Sequence, residues 1–146
     1  MSKHIDLLRV YENLDLEVYM TLKEGLAGVD RQHAEEQFEK FGIVYGDYAG
    51  LAVVAKQKVE QAEKDLSYGV AKIKEEIRNS SIKKIPATTL QDMAEATEEY
   101  SKYQDALILA ETKFGFLKAL LKALDIKHNA LIQTTSTKRA ETKLYS

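Results

Sequence analysis

Two long stretches of the chain repeat apolar residues at steps of three and four. The first carries Tyr48, Ala52, Ala55, Val59, Ala62, Leu66, Val70, Ile73 and Ile77. At about 100° per residue these positions form one narrow stripe, which predicts an amphipathic helix ending near Asn79. The second carries Tyr103, Leu107, Ala110, Phe114, Leu117, Leu121, Leu124, His128 and Leu131, and predicts a helix from about Glu98 to Gln133. Between them lies the polar segment NSSIKKIPATT with Pro86. It reads as a loop, with Thr88 or Thr89 capping a short helix after it. Two stripes of similar length joined by such a loop predict an all-α fold built on a long antiparallel coiled-coil hairpin.

The flanks are less regular. Residues 4–24 mix their apolar spacings and predict one or two short helices, with Asn13 as a possible cap and GLAG, residues 25–28, as a turn. Asp30 then stands as an N-cap before RQHAEEQFEKF, whose early glutamates suit a helix N-terminus. Gly42, Gly46 and Gly50 follow four apart. On a helix they share a face open to close backbone approach, but each Gly also weakens a helix, so a bend or frayed joint fits equally. The polar, basic tail of residues 134–146 is expected to fray. The organisation expected is a single domain: a short helical segment over 1–30, a hairpin core over 31–133, and the tail.

The second long helix has a further apolar set, Leu109, Phe116, Leu120 and Ala123, roughly opposite its main stripe. A helix apolar on two faces must be buried on both. Either the N-terminal helices cover this set or it forms an interface between copies of the chain, making a homo-oligomer.

Composition narrows the chemistry. The 146 residues include seven Gly, one Pro and no Cys. Low Gly and Pro favour long helices, and without Cys there is neither a disulfide frame nor a thiolate metal site. No apolar run reaches the roughly 18 residues of a membrane span, and no signal-like segment opens the chain, so the expectation is a soluble cytoplasmic protein. No phosphate loop, H-E-x-x-H or nucleophile elbow is present, and His4, His33 and His128 stand isolated. His128, on the apolar stripe, reads as a packed, hydrogen-bonded core residue. No catalytic residue, metal ligand or cofactor is predicted.

The net charge of −2 hides a gradient. Lys and Arg number five against ten Asp and Glu in residues 1–50, eight against nine in 51–100, and eight against four in 101–146. Such polarity steers an anionic partner to one end, or pairs unlike ends of neighbouring copies. On the first long helix Lys56, Lys64, Lys74 and Arg78 fall within an arc of about 80°. Glu60 shares that arc, while Lys58 and Lys72 lie outside it. The second helix adds Lys118 and Lys122. Lysines beside an apolar seam commonly just keep it solvated; the alternative is a surface that tracks phosphates. Single strands also stack on aromatic side chains, and Tyr68 is placed to serve as such a platform or to pack in a core or interface.

The order of these features resembles one family. VDRQHAEEQFEKFGIVYGDYAGLAVVAKQKVEQAEKDLSYGV precedes the loop, and EEYSKYQDALILAETKFGFLKALLKALDIKHNALIQTTSTKRAE follows it. Paired aromatics Tyr45 and Tyr48, the L-x-Y element Leu66–Tyr68, then Tyr103, Ala106, Ala110, Leu117, Ala123, Leu124 and the basic pair Lys138–Arg139 are similar in spacing to the UvsY-like recombination mediators of tailed phages. The resemblance covers residues 29–141. It implies a closed homo-oligomer, of which a ring is one form, that binds single-stranded DNA. Its partners would be a RecA-like recombinase and a single-strand binding protein, which it helps the recombinase replace, in the cytoplasm of a host cell. The family's DNA-linked basic residues match Lys64, Lys56 and Lys58 best, although Glu63 and Asp65 flank Lys64 where a second basic residue is expected. The competing expectation is a non-catalytic coiled-coil scaffold, adaptor or assembly chaperone of phage type.

Overall fold

A computed structural model describes residues 3–145, with side chains for 7–144; His4 lies outside the latter range. The described chain is helical, with no strand among the described residues: α1 (Lys3–Glu12), α2 (Leu16–Ala27), a 3-10 turn (Arg31–His33), α3 (Ala34–Ser80), α4 (Ala87–Glu95) and α5 (Glu98–Tyr145).

Local chemistry sets the boundaries, and it corrects several expectations. Asp15, not Asn13, caps α2: its Oδ1 accepts from the Val18 amide at 2.8 Å. Asn13 instead closes α1 by donating from Nδ2 to the Arg9 carbonyl. The GLAG segment is not a free turn, since α2 runs through Gly25 to Ala27. Asp30 caps as expected, accepting from the Gln32 amide while its own amide donates to Gln37 Oε1. The two bonds satisfy two backbone amides at the start of the helical segment. Thr88 and Thr89 lie inside α4, whose N-cap is Pro86. Thr97 caps α5, accepting from the Tyr100 amide and donating to the Ala94 carbonyl.

The glycine series does not break α3, which runs unbroken past Gly42, Gly46 and Gly50. A Cβ at any of the three would meet nothing within 4 Å, so no close helix approach occurs there among the described residues. The tail does not fray at Gln133 either. Helix α5 continues to Tyr145. Thr135 is buried, and its hydroxyl donates to the Leu131 carbonyl. Arg31 holds Glu141 at 2.9 Å, Glu35 lies 3.7 Å from Arg139, and Lys138 donates to the Gln32 carbonyl. The tail's charge is thus spent against the start of α3 rather than on solvent alone.

The chain forms two compact units. The first gathers residues up to Val54 and from Gly115 onward; the second is Ala55–Phe114. The first unit's core is Tyr11, Leu14, Leu51, Ala52 and a row of leucines on α5: Leu117, Leu120, Leu124 and Leu131. Full burial of each such leucine contributes about 1.5–3 kcal/mol. His128 stacks on Phe41 at 4.7 Å and on Phe38 at 5.8 Å. It is packed as expected, but among the described residues its buried Nδ1 finds no hydrogen-bond partner. In the second unit Ala55, Ile73 and Ala110 are buried, as are Leu90 and Ala94 of α4. There Gly69 of α3 forms a slot for the ring of Tyr103 of α5.

Candidate nucleic-acid interface

In the second unit, burial of Ala55, Gly69 and Ile73 fixes which way α3 faces. Tyr68 falls on the opposite side and is 73% exposed. The same helical geometry sets Lys64 and Lys72 one turn before and one turn after it, within an arc of about 80°. Both lysines are exposed. Among the described residues no ion pair engages either. Nearby, Asp65 accepts a hydrogen bond from Gln61 at 2.9 Å, which occupies part of its acceptor capacity.

The structure thus regroups the candidates. Lys64, Tyr68 and Lys72 share a stripe, whereas the arc of Lys56, Lys64, Lys74 and Arg78 lies along its flank. Lys56, Lys58 and Arg78 are exposed and Lys74 is half-buried beside Ile73. Lys72, set apart in the angular reading of the basic residues alone, comes in once the exposed aromatic is taken as the reference. Spacing of i, i+4 and i+8 was the available signal. Lys118 and Lys122 are exposed on α5 in the first unit. Lys127, close by in sequence, is half-buried, and burial pushes its ammonium below the usual lysine range.

The candidate interface residues divide. The Phe116 ring stacks on Tyr19 of α2, with centroids 4.9 Å apart and planes 17° from parallel. Leu120, one turn on, is fully buried and Ala123 is half-buried. Phe116 and Leu120 are therefore packed inside the subunit, because α2 brings an aromatic ring onto that face of α5. Leu109, in the second unit, remains 56% exposed.

Sequence reasoning missed the coupled pair at the head of α3. His33 Nδ1 lies 2.6 Å from Asp30 Oδ2. The hydrogen bond from His33 holds the Asp30 carboxyl below its ordinary range, and the same bond raises His33 above its own. Among the described residues no group of three or more His, Cys, Asp or Glu is placed to hold a metal ion. No described helix is long and apolar enough to cross a membrane. Comparison with known protein families, curated proteins and solved structures finds no match for this chain.

Proposed function

We propose that this chain is a single-stranded DNA-binding recombination mediator that helps a RecA-like recombinase load onto DNA covered by single-strand binding protein. The observation that carries the DNA-binding part is the exposed Lys64–Tyr68–Lys72 stripe: a phenol ring open for base stacking between two ammonium groups spaced along the helix. The loading role follows from the resemblance of residues 29–141 to phage mediators. In this reading no bond is made or broken. The protein acts by binding the strand in a form that the recombinase takes over.

The same proposal includes a homo-oligomer acting in the cytoplasm, with α3 and α5 paired antiparallel. Supporting the pairing, Glu35 and Phe38 of α3 meet Arg139 and His128 of α5 within the first unit, and Arg31, in the turn just before α3, meets Glu141, so numbers rise along one segment as they fall along the other. Repeating a modest basic stripe around an oligomer raises its avidity for one strand.

Fluorescence anisotropy with an oligo-dT strand, against a duplex of equal length, tests the reading. The expected result is preference for the single strand and a log–log salt slope of about −0.7 per phosphate neutralised. Tyr68→Ala weakens single-strand binding about tenfold, within the range of one lost base stack, and Tyr68→Phe restores it. A folded protein that binds no strand at low salt refutes the reading. The second reading, a scaffold or adaptor, then takes its place; the exposed apolar side chains Ile43, Val53 and Leu109 favour it.

A further inference from the structure

The turn after α3 carries an apolar side chain held out in solvent. Ser81 donates from its hydroxyl to the Lys83 carbonyl at 2.8 Å, pinching the chain around Ile82. Ile82 is fully exposed, at 105% of its reference area. Lys83 and Lys84 follow it, both exposed, and among the described residues no ion pair engages them. Exposure of one apolar residue is ordinary. A pinned isoleucine with two adjoining ammonium groups is an anchor already ordered for binding.

Beside this knob, in the same compact unit, is a hollow of about 700 Å³. Its walls include Ile77, Ile85 and the 43% exposed Met93, and its rim includes Glu76, Glu98 and Glu99. Among the described residues no Lys or Arg lines it. Knob and hollow are complementary in both respects: apolar tip to apolar walls, ammonium groups to carboxylates. Ile82 does not fill the hollow of its own chain, because it stands wholly in solvent.

We infer that the turn at Ile82–Lys84 seats in the Glu-rimmed hollow of a second copy of this chain, each copy giving its knob and receiving the other's. A patch holding both a shape and its complement is what a two-fold contact requires, since residue i meets j while j meets i. The unlike charges select this register over a knob-to-knob encounter. The contact shares no residue with the Lys64–Tyr68–Lys72 stripe and stands or falls independently of DNA binding. A contact of this size belongs to the weak class, so it is sought at high protein concentration.

The chain has no cysteine, which makes introduced thiols unique. Differently tagged full-length copies of Ile82→Cys and Met93→Cys are mixed and oxidised. The expected product is a mixed disulfide dimer, formed because the contact brings the two Cβ atoms within bonding reach. Ile82→Cys mixed with Gln57→Cys is the control, and equal yield from both mixtures overturns the proposal. In sedimentation velocity, Ile82→Asp weakens the self-association about tenfold or more, since it replaces a buried apolar anchor with a charge facing carboxylates. Unchanged helicity in that variant confirms its fold, as expected for a side chain wholly in solvent. Self-association unaffected by Ile82→Asp, or no self-association at any concentration, overturns the proposal. Capture instead of an added Lys- and Leu-containing peptide, without the mixed disulfide, does so as well.

Discussion

Replacing Gly69 by Ala sets two effects of known size against each other. Gly69 lies well inside α3 and is buried. Ala in a helix interior stabilises by about 1 kcal/mol relative to Gly, so on propensity alone the change strengthens the fold. The slot argues the other way. A Cβ at Gly69 would stand only 2.7 Å from both Cδ2 and Cζ of Tyr103, and Cε2 is closer still. Contacts that near do not persist, and because they involve the body of the ring the whole side chain must rotate away. Overpacking of this kind costs about 1–3 kcal/mol. The net expectation is a loss of between about 0 and 2 kcal/mol in the wild-type background. In a Tyr103→Ala background the clash is absent, and Gly69→Ala becomes stabilising by about 1 kcal/mol. The coupling is therefore about 1–3 kcal/mol, large enough for a double-mutant cycle. Urea unfolding followed by circular dichroism measures it, provided m stays constant across the four proteins. Equal shifts of the midpoint in both backgrounds would refute the slot and leave propensity as the only effect of Gly69.

Leu120→Ala is expected to cost about 2–5 kcal/mol through the cavity it opens beneath a fully buried leucine. Phe116→Ser is expected to lower the unfolding midpoint by the same amount at every protein concentration, as suits an intrachain stack on Tyr19; a shift that depends on concentration would return this face to the subunit interface. Histidine titration by NMR should place His33 above the ordinary 6.5, and Asp30→Asn should bring it back. Because His33 is raised, its contribution is complete below about pH 6.5 and fades as pH climbs through the raised value; Asp30 is lowered, so its share is present above about pH 4 and fades in acid.

The long stripes were legible because they depend on period alone. Leu117, Leu124 and Leu131 on α5, and Ala55 and Ile73 on α3, are all buried where spacing put them. What spacing leaves open is who covers a second apolar face. Phe116 and Leu120 read the same whether the cover is α2 or another subunit; the decision rests on where Tyr19 travels, and that is tertiary. The tail was misjudged for a related reason. Thr134–Thr137 and the charges after them look like solvent-facing sequence, but Arg31 and Glu35 supply partners from the far end of the chain. Caps failed where two candidates compete within a few residues: Asp15 accepts as a carboxylate at the α2 N-terminus, which leaves Asn13 to the end of α1. Gly69 gave no signal at all, since its value lies in a ring thirty-four positions away.

The candidate DNA stripe has carboxylates at both ends. Along one face of α3 the order is Glu60, Lys64, Tyr68, Lys72, Glu76, each four residues from the next. Glu before Lys at this spacing is the favourable orientation, so Glu60 competes with a phosphate for Lys64 and, less well, Glu76 for Lys72. The magnitudes settle which wins. An exposed i, i+4 pair contributes about 0.2–0.5 kcal/mol, and neither pair is formed in the structure. A base stacked on an aromatic ring contributes about 1–3 kcal/mol. The glutamates therefore reduce the electrostatic part of binding without cancelling the stacking part. In the proposed DNA-binding reading, a duplex with its bases paired presents charge to this face and nothing to Tyr68. In the reading proposed above, the preference for single strands resides in Tyr68, and Lys64 and Lys72 set the salt dependence: Tyr68→Ala is expected to remove discrimination against duplex at an unchanged salt slope, whereas Lys64→Gln with Lys72→Gln is expected to flatten the slope and leave the discrimination in place.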